Sequence, residues 1–91
     1  MSPIESLNQA ITSTLGKLYG ATPSPDQIQI QKTRAEFAGH YTLVVFPLLK
    51  LSRKKPEETA TEIGESLKAE FPWITDFNVV KGFLNLSLST A

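Results

Sequence analysis

Val79-Val80-Lys81-Gly82-Phe83-Leu84-Asn85-Leu86-Ser87-Leu88-Ser89 decides the fold of this chain. Successive side chains of a strand point to opposite faces, so Leu84, Leu86 and Leu88 share one face and Phe83, Asn85, Ser87 and Ser89 the other. A leucine face is a core face. The opposite face then carries a phenyl ring and an amide two residues apart. A ring can stack on a nucleobase, and an amide can pair with a base edge as donor and acceptor at once. Lys81-Gly82 reads as the turn of a hairpin that joins a strand over Ile74 to Val80 to one over Phe83 to Ser89.

Upstream, Pro56-Glu57-Glu58 reads as a helix start, with proline at the first position and acids in the first turn, where the helix dipole favours them. Ala60, Ile63, Leu67 and Phe71 supply its buried stripe. Glu57, Glu58, Glu62 and Glu65 supply a solvated face. Gly64 lies within this helix and costs about 1 kcal/mol there relative to alanine, which points to close approach of another element. Phe71-Pro72 ends it.

The N-terminal segment predicts a helix over Pro3 to Tyr19. Ile4, Leu7, Ile11, Leu15 and Leu18 fall on one face, Ser2-Pro3-Ile4-Glu5 reads as a capping box, and Gly20 is a stop. Ala21 to Asp26 is a loop. Gln27 to Lys32 alternates polar and apolar as a half-buried strand does. A second short strand is expected within Glu36 to Tyr41, with strand structure ending near Leu43. Pro47 argues against a long central strand, and a short helix is expected from about Val45 to Arg53.

The chain of 91 residues allows one domain, spanning 1–91. It has no run of the roughly 18 apolar residues needed to span a bilayer. No signal peptide is read at its start. With no cysteine, thiolate chemistry and disulfides are excluded, which agrees with a cytoplasmic setting. A net charge of zero argues against strong charge-driven binding to nucleic acid, so any such role needs a local patch. The sequence offers no catalytic constellation. His40 is the lone histidine and has no oriented partner or metal-ligating neighbours. The glycines are scattered, so no phosphate loop is present. Lys50, Arg53, Lys54 and Lys55 form a basic cluster, either a solvated junction or a set of phosphate contacts, with Lys81 as a further candidate.

At this point the chain resembles the N-terminal additional domain of arginyl-tRNA synthetase. Lys81-Gly82-Phe83-Leu84-Asn85-Leu86 is similar to that family's Gly-(Phe/Tyr)-(Ile/Leu)-Asn strand. Ala38-Gly39-His40-Tyr41 is similar to its Phe-Gly-Asp-Tyr run, and Pro56-x-x-x-Ala60-x-x-Ile63 to its Pro-x-x-x-Ala-x-x-Ile helix start. His40 stands where the family often has aspartate, and Val45-Phe46-Pro47 places a proline at an early helical segment. The resemblance implies an α+β two-layer sandwich, with helices on one face of a four-stranded antiparallel sheet. It also implies a partner: arginine tRNA, contacted at the D-loop, with Phe83 stacking on a base and Asn85 bonding its edge.

The resemblance places the chemistry elsewhere. Activation of arginine with ATP and Mg belongs to a class I catalytic domain that would follow in cis. Neither the His-x-Gly-His nor the Lys-Met-Ser-Lys-Ser signature of that domain occurs here. The catalytic and anticodon-binding domains are therefore expected outside this chain, beyond an excised C-terminal boundary, and the fragment itself is expected to be no enzyme. No membrane or DNA role is implied. Two alternatives stay open. One is a general single-stranded RNA-binding module, since Lys81-Gly82-Phe83 matches the opening of the RNP1 signature. The other is a protein-interaction domain using the sheet face or Phe46 to Leu51.

Overall fold

The computed structural model describes residues 3–89, and the expected capping residue Ser2 lies outside them. Helix α1 (Pro3–Tyr19) is followed by a 3-10 turn (Pro25–Gln27) and strands β1 (Gln29–Lys32) and β2 (Tyr41–Val44). A second 3-10 turn (Phe46–Leu48) runs into the single helical turn α2 (Leu49–Ser52). Helix α3 (Pro56–Glu70) and strands β3 (Ile74–Val80) and β4 (Phe83–Leu88) complete the chain. The strands form one sheet in the order β1-β2-β4-β3, and every neighbouring pair is antiparallel. Helices α1 and α3 cover one face. This is the expected two-layer α+β architecture.

The leucine face of β4 is the floor of the core. Leu84 and Leu86 are buried beneath Leu7, Ile11 and Leu15 of α1 and Ala60, Ile63 and Leu67 of α3. The register places Leu43, Leu84 and Val79 in one row, and Tyr41, Leu86 and Phe77 in the next. Leu88 is only half-buried, because β4 ends there at the margin of the helical layer. The α1 stripe is also shorter than its sequence period suggests. Ile4 and Leu18, at the helix ends, are 43% and 37% exposed, and Ala10 and Thr14 complete the buried face instead. Gly64 does mark a close approach. A Cβ there would lie 2.5 Å from the Phe77 ring, so α3 rests directly on β3.

Lys81 and Gly82 both have positive φ, 49° and 80°, the signature of a two-residue type I′ turn between Val80 and Phe83. Gly82 also fills a tight site, since a Cβ there would come within 2.9 Å of Phe46 and 3.0 Å of Pro56. The hairpin tip is thereby seated against the start of α3 and the segment that leads to it.

Two expected elements are corrected. The second strand does not lie within residues 36–41; it runs from Tyr41 to Val44, where Thr42, Leu43 and Val44 suit a pleated, half-buried surface. Residues 33–40 form a loop instead. The Phe37 amide bonds back to the Arg34 carbonyl at 3.0 Å. Gly39, at φ 131°, crosses directly over β4. The helix expected from Val45 to Arg53 is divided. Around Pro47 the amides of Leu48 and Leu49 bond to Val45 and Phe46, three residues back, so the segment starts as a 3-10 turn. Arg53, at φ 58°, stops the short α-helical turn that follows.

Candidate nucleic-acid interface

The sheet face turned away from the helices is organised by register. Gln31 pairs with Thr42, Thr42 with Asn85, and Asn85 with Asn78. Directly paired residues of antiparallel strands project to the same face. These polar side chains therefore form one row across the sheet. The adjacent row contains Val44, Phe83 and Val80. The alternation read from β4 thus places Phe83 and Asn85 on the face expected of them.

Their environments differ. Phe83 is 36% exposed and meets the edge of Phe46 at a ring-centroid distance of 5.9 Å and an interplanar angle of 79°. Asn85 is only 2% exposed, so the expectation of an open face is corrected at that position. The loop over residues 33–40 covers it. A Cβ on Gly39 would lie 3.2 Å from the Asn85 Cβ, a space that glycine leaves for the amide side chain below.

Burial of an amide requires partners, and Asn85 has them. The Thr42 hydroxyl donates to Asn85 Oδ1 at 2.5 Å, and Asn85 Nδ2 donates to Asn78 Oδ1 at 2.9 Å. Asn78 Nδ2 donates to the Ala38 carbonyl at 2.8 Å, and the Thr33 and Thr42 hydroxyls are 2.9 Å apart. The direction of this chain follows from its end. A backbone carbonyl only accepts, so Nδ2 of Asn78 faces Ala38 and its Oδ1 faces Asn85. Asn85 must then present Nδ2 to Asn78 and Oδ1 to Thr42. The Thr42 proton is committed to Asn85, and Thr33 donates to Thr42. After these bonds the Asn85 amide retains one N–H and one oxygen lone pair. A couple of that kind matches a base edge, although only 2% of Asn85 is exposed.

Beside Asn85 lies a hollow of about 360 Å³. Its walls come from two places. Lys81 and Phe83 belong to the β3–β4 hairpin, and Arg34 and Phe37 to the loop. Gln31, Thr42, Val80 and Asn85, one from each strand, complete the lining. The volume sits at the small end of the roughly 300–1,000 Å³ range of ligand sites. No acidic side chain is among the described residues that line it, and Arg34 and Lys81 supply two cations. A chain of zero net charge therefore has a locally cationic, aromatic recess.

The basic cluster is only partly available. Lys54 is ion-paired with Glu62, and Glu62 Oε1 also accepts the Tyr19 hydroxyl at 2.8 Å. The hydrogen bond from Lys54, then that from Tyr19, holds the Glu62 carboxyl below the usual glutamate range. Burial, reinforced by the bond to Glu62, pushes the Tyr19 phenol up. Glu62 is thus a bridge between α1 and the α3 approach, not part of a purely solvated acidic face. Lys50, Arg53 and Lys55 are exposed. Lys55 precedes Pro56, which abuts the hairpin at Gly82. The lone histidine is structural: Nδ1 of His40 accepts the Leu88 amide at 2.9 Å, and its own amide bonds the Leu86 carbonyl at 2.8 Å. Among the described residues no cluster of His, Cys, Asp or Glu could hold a metal ion. No helix among them is long and apolar enough to cross a membrane.

The sequence reading missed Arg34, Phe37, Gln31 and Thr42. Two signals were present. Phe37 stands between Glu36 and Ala38-Gly39 with no apolar period to bury it, and Gln31 alternates with the inward Ile30.

Comparison with known proteins gives concordant results. The model of the family described as the arginyl tRNA synthetase N terminal domain matches residues 5–88. An arginine–tRNA ligase of Bacteroides fragilis is 54% identical over 87 residues, 96% of this chain and 15% of that protein. One from Amoebophilus asiaticus is 37% identical over 82 residues, 90% of this chain and 14% of that protein. Among solved structures, Thermus thermophilus arginyl-tRNA synthetase superposes with a TM-score of 0.78 at 25% identity, covering 98% of this chain and 14% of that one. The chain thus spans about one-seventh of the length of these relatives.

Proposed function

The chain belongs to the arginyl-tRNA synthetase N-terminal domain family, and on that premise we propose that it is the tRNA-binding module of an arginine–tRNA ligase, receiving an unpaired D-loop base in the hollow beside Phe83 and Asn85. Phe83 stacks on the base. Asn85 offers its remaining N–H and oxygen lone pair to the base edge. The module helps select arginine tRNA at the outer corner of the molecule. The rest of the synthetase, in cis, then joins arginine to it in the cytoplasm, using ATP and Mg in a catalytic domain beyond this chain.

The observation that carries this reading is the make-up of the recess: an exposed ring, an amide of fixed orientation and two cations, with no acid among the described lining residues. Stacking is sequence-tolerant and the amide supplies discrimination. Lys81 on the rim, and Lys55 near the hairpin tip, meet the phosphates that flank the base. Lys50 and Arg53 continue that cationic surface along the segment leading from Phe46 to Pro56. Lys54, held by Glu62, adds to the field more than to direct contact.

Equilibrium binding of arginine tRNA to the chain and to Phe83→Ala tests this reading. Loss of a stack worth about 1–3 kcal/mol weakens binding roughly 5- to 150-fold. The melting temperature falls less than for a core truncation, because the ring lies off the core and loses only its edge contact with Phe46. Equal affinity of the two proteins would overturn the assignment.

A further inference from the structure

Two segments of the same chemical make-up line the recess, and only one belongs to the hairpin. Lys81 and Phe83 come from the hairpin; Arg34 and Phe37 come from the loop over residues 33–40. Each wall presents one cation and one phenyl ring. Phe37 is 40% exposed, slightly more than Phe83, so burial does not explain its place in the loop.

A wall of a binding site must be held in place, and this loop is fastened at several points. The Thr33 amide bonds the His40 carbonyl at 3.2 Å and closes the loop at its base. The His40 amide reaches the Leu86 carbonyl, and the His40 ring accepts from the Leu88 amide, so the loop end is stitched to β4. The Ala38 carbonyl, next to Phe37, is gripped by Asn78. Gly39 sits flush on Asn85. The turn from Arg34 to Phe37 is closed by its own backbone bond. The ring and the guanidinium therefore project from an anchored turn. Asn85, which lines the recess, also belongs to the chain of bonds that ends on Ala38.

We infer that the 33–40 loop is the second half of the nucleobase site, with Phe37 as a stacking wall facing Phe83 and Arg34 as a contact for a phosphate flanking the inserted base. The inference rests on the proposed function and extends it. The ligand it specifies is an unpaired base carried on an RNA backbone that crosses between the two walls, flanked by cations on both sides. A base held between two rings is excluded from water on both faces, so the recess requires a nucleotide that is splayed out of its own stack.

Binding of dye-labelled arginine tRNA to the full chain and to Phe37→Ala, Arg34→Gln and Phe83→Ala, over a series of salt concentrations, tests it. Both loop side chains are exposed, so the variants keep the wild-type amide spectrum outside the loop. Phe37→Ala weakens binding about tenfold by loss of one stack. Arg34→Gln weakens it several-fold and reduces the slope of log affinity against log salt by roughly 0.7, the value for one single-strand phosphate contact. Wild-type affinity and salt slope for both loop variants, with Phe83→Ala impaired, would overturn the two-walled site and leave the proposed function standing. Wild-type affinity for Phe83→Ala as well would overturn both.

Discussion

Substitution of Asn85 by aspartate tests the direction of the buried hydrogen-bond chain. The two side chains have the same shape. Aspartate keeps the oxygen that accepts from Thr42 but places a second oxygen against Asn78 Oδ1, where the native donor–acceptor distance is 2.9 Å. Asn78 cannot rotate its amide to compensate, because its nitrogen would then leave the Ala38 carbonyl and its oxygen would face it. The cost combines a lost bond of about 1 kcal/mol with a carboxylate held at a site only 2% exposed, and a total of about 2–4 kcal/mol is expected near neutral pH.

The penalty depends on pH in a defined sense. A protonated carboxyl can donate to Asn78, so the folded state favours the proton and raises the aspartate pKa above its unfolded value of about 3.9. Below the unfolded value the charge penalty is absent. It grows as pH rises through that value and is complete above the folded one. Asn85→Ala removes the same bonds without adding a charge and should cost about 1–3 kcal/mol at every pH. Urea unfolding of wild type and both variants, at about pH 4 and about pH 7, reads the differences directly. An Asn85→Asp penalty under about 0.5 kcal/mol at both pH values would refute the assigned bond directions.

Other substitutions probe the rest of the account. Leu86→Ala truncates a side chain in the centre of the core and should cost about 2–5 kcal/mol in the same unfolding assay. Gly64→Ala gains helix propensity of about 1 kcal/mol, yet its methyl would meet the Phe77 ring, so a lower melting temperature is expected. Adding Phe77→Leu should recover part of that loss. The lowered pKa of Glu62 means that its contribution is present above the ordinary glutamate range and is lost as pH falls through the folded value. Glu62→Gln should therefore flatten the acid limb of the stability–pH profile. The effect should be modest, because 36% of that side chain is exposed to solvent.

What the sequence made legible was local. The alternation of Phe83 to Leu88 assigns the strand faces, and Lys81-Gly82 assigns the hairpin that fixes their register. Gly64 announces the contact of α3 with β3. What it concealed was long-range. Burial of Asn85 depends on a loop that is more than forty residues away along the chain and is held down through Ala38, Gly39 and His40. Nothing in the β4 alternation carries that information. Reading residues 36–41 as a strand hid most of the same loop, and with it Phe37. Helix periodicity likewise says which face is apolar but not where the sheet beneath it ends, so Ile4 and Leu18 emerge exposed. The pairing of Lys54 with Glu62 is set by the helical start at Pro56 and by Tyr19 of another helix, and it divides a basic run that looks uniform in the sequence.

The central claim is that the recess beside Phe83 and Asn85 holds an unpaired D-loop base of arginine tRNA. The most direct measurement is an amide and side-chain NMR titration of the isotope-labelled chain. It uses arginine tRNA and the same tRNA made abasic at individual D-loop positions. The account predicts shifts at Phe83, the Asn85 side-chain amide, Phe37 and Lys81 that are lost when one particular D-loop base is removed. Shifts of equal size with every tRNA, centred on Lys50 to Lys55 and leaving the Asn85 amide unmoved, would contradict it.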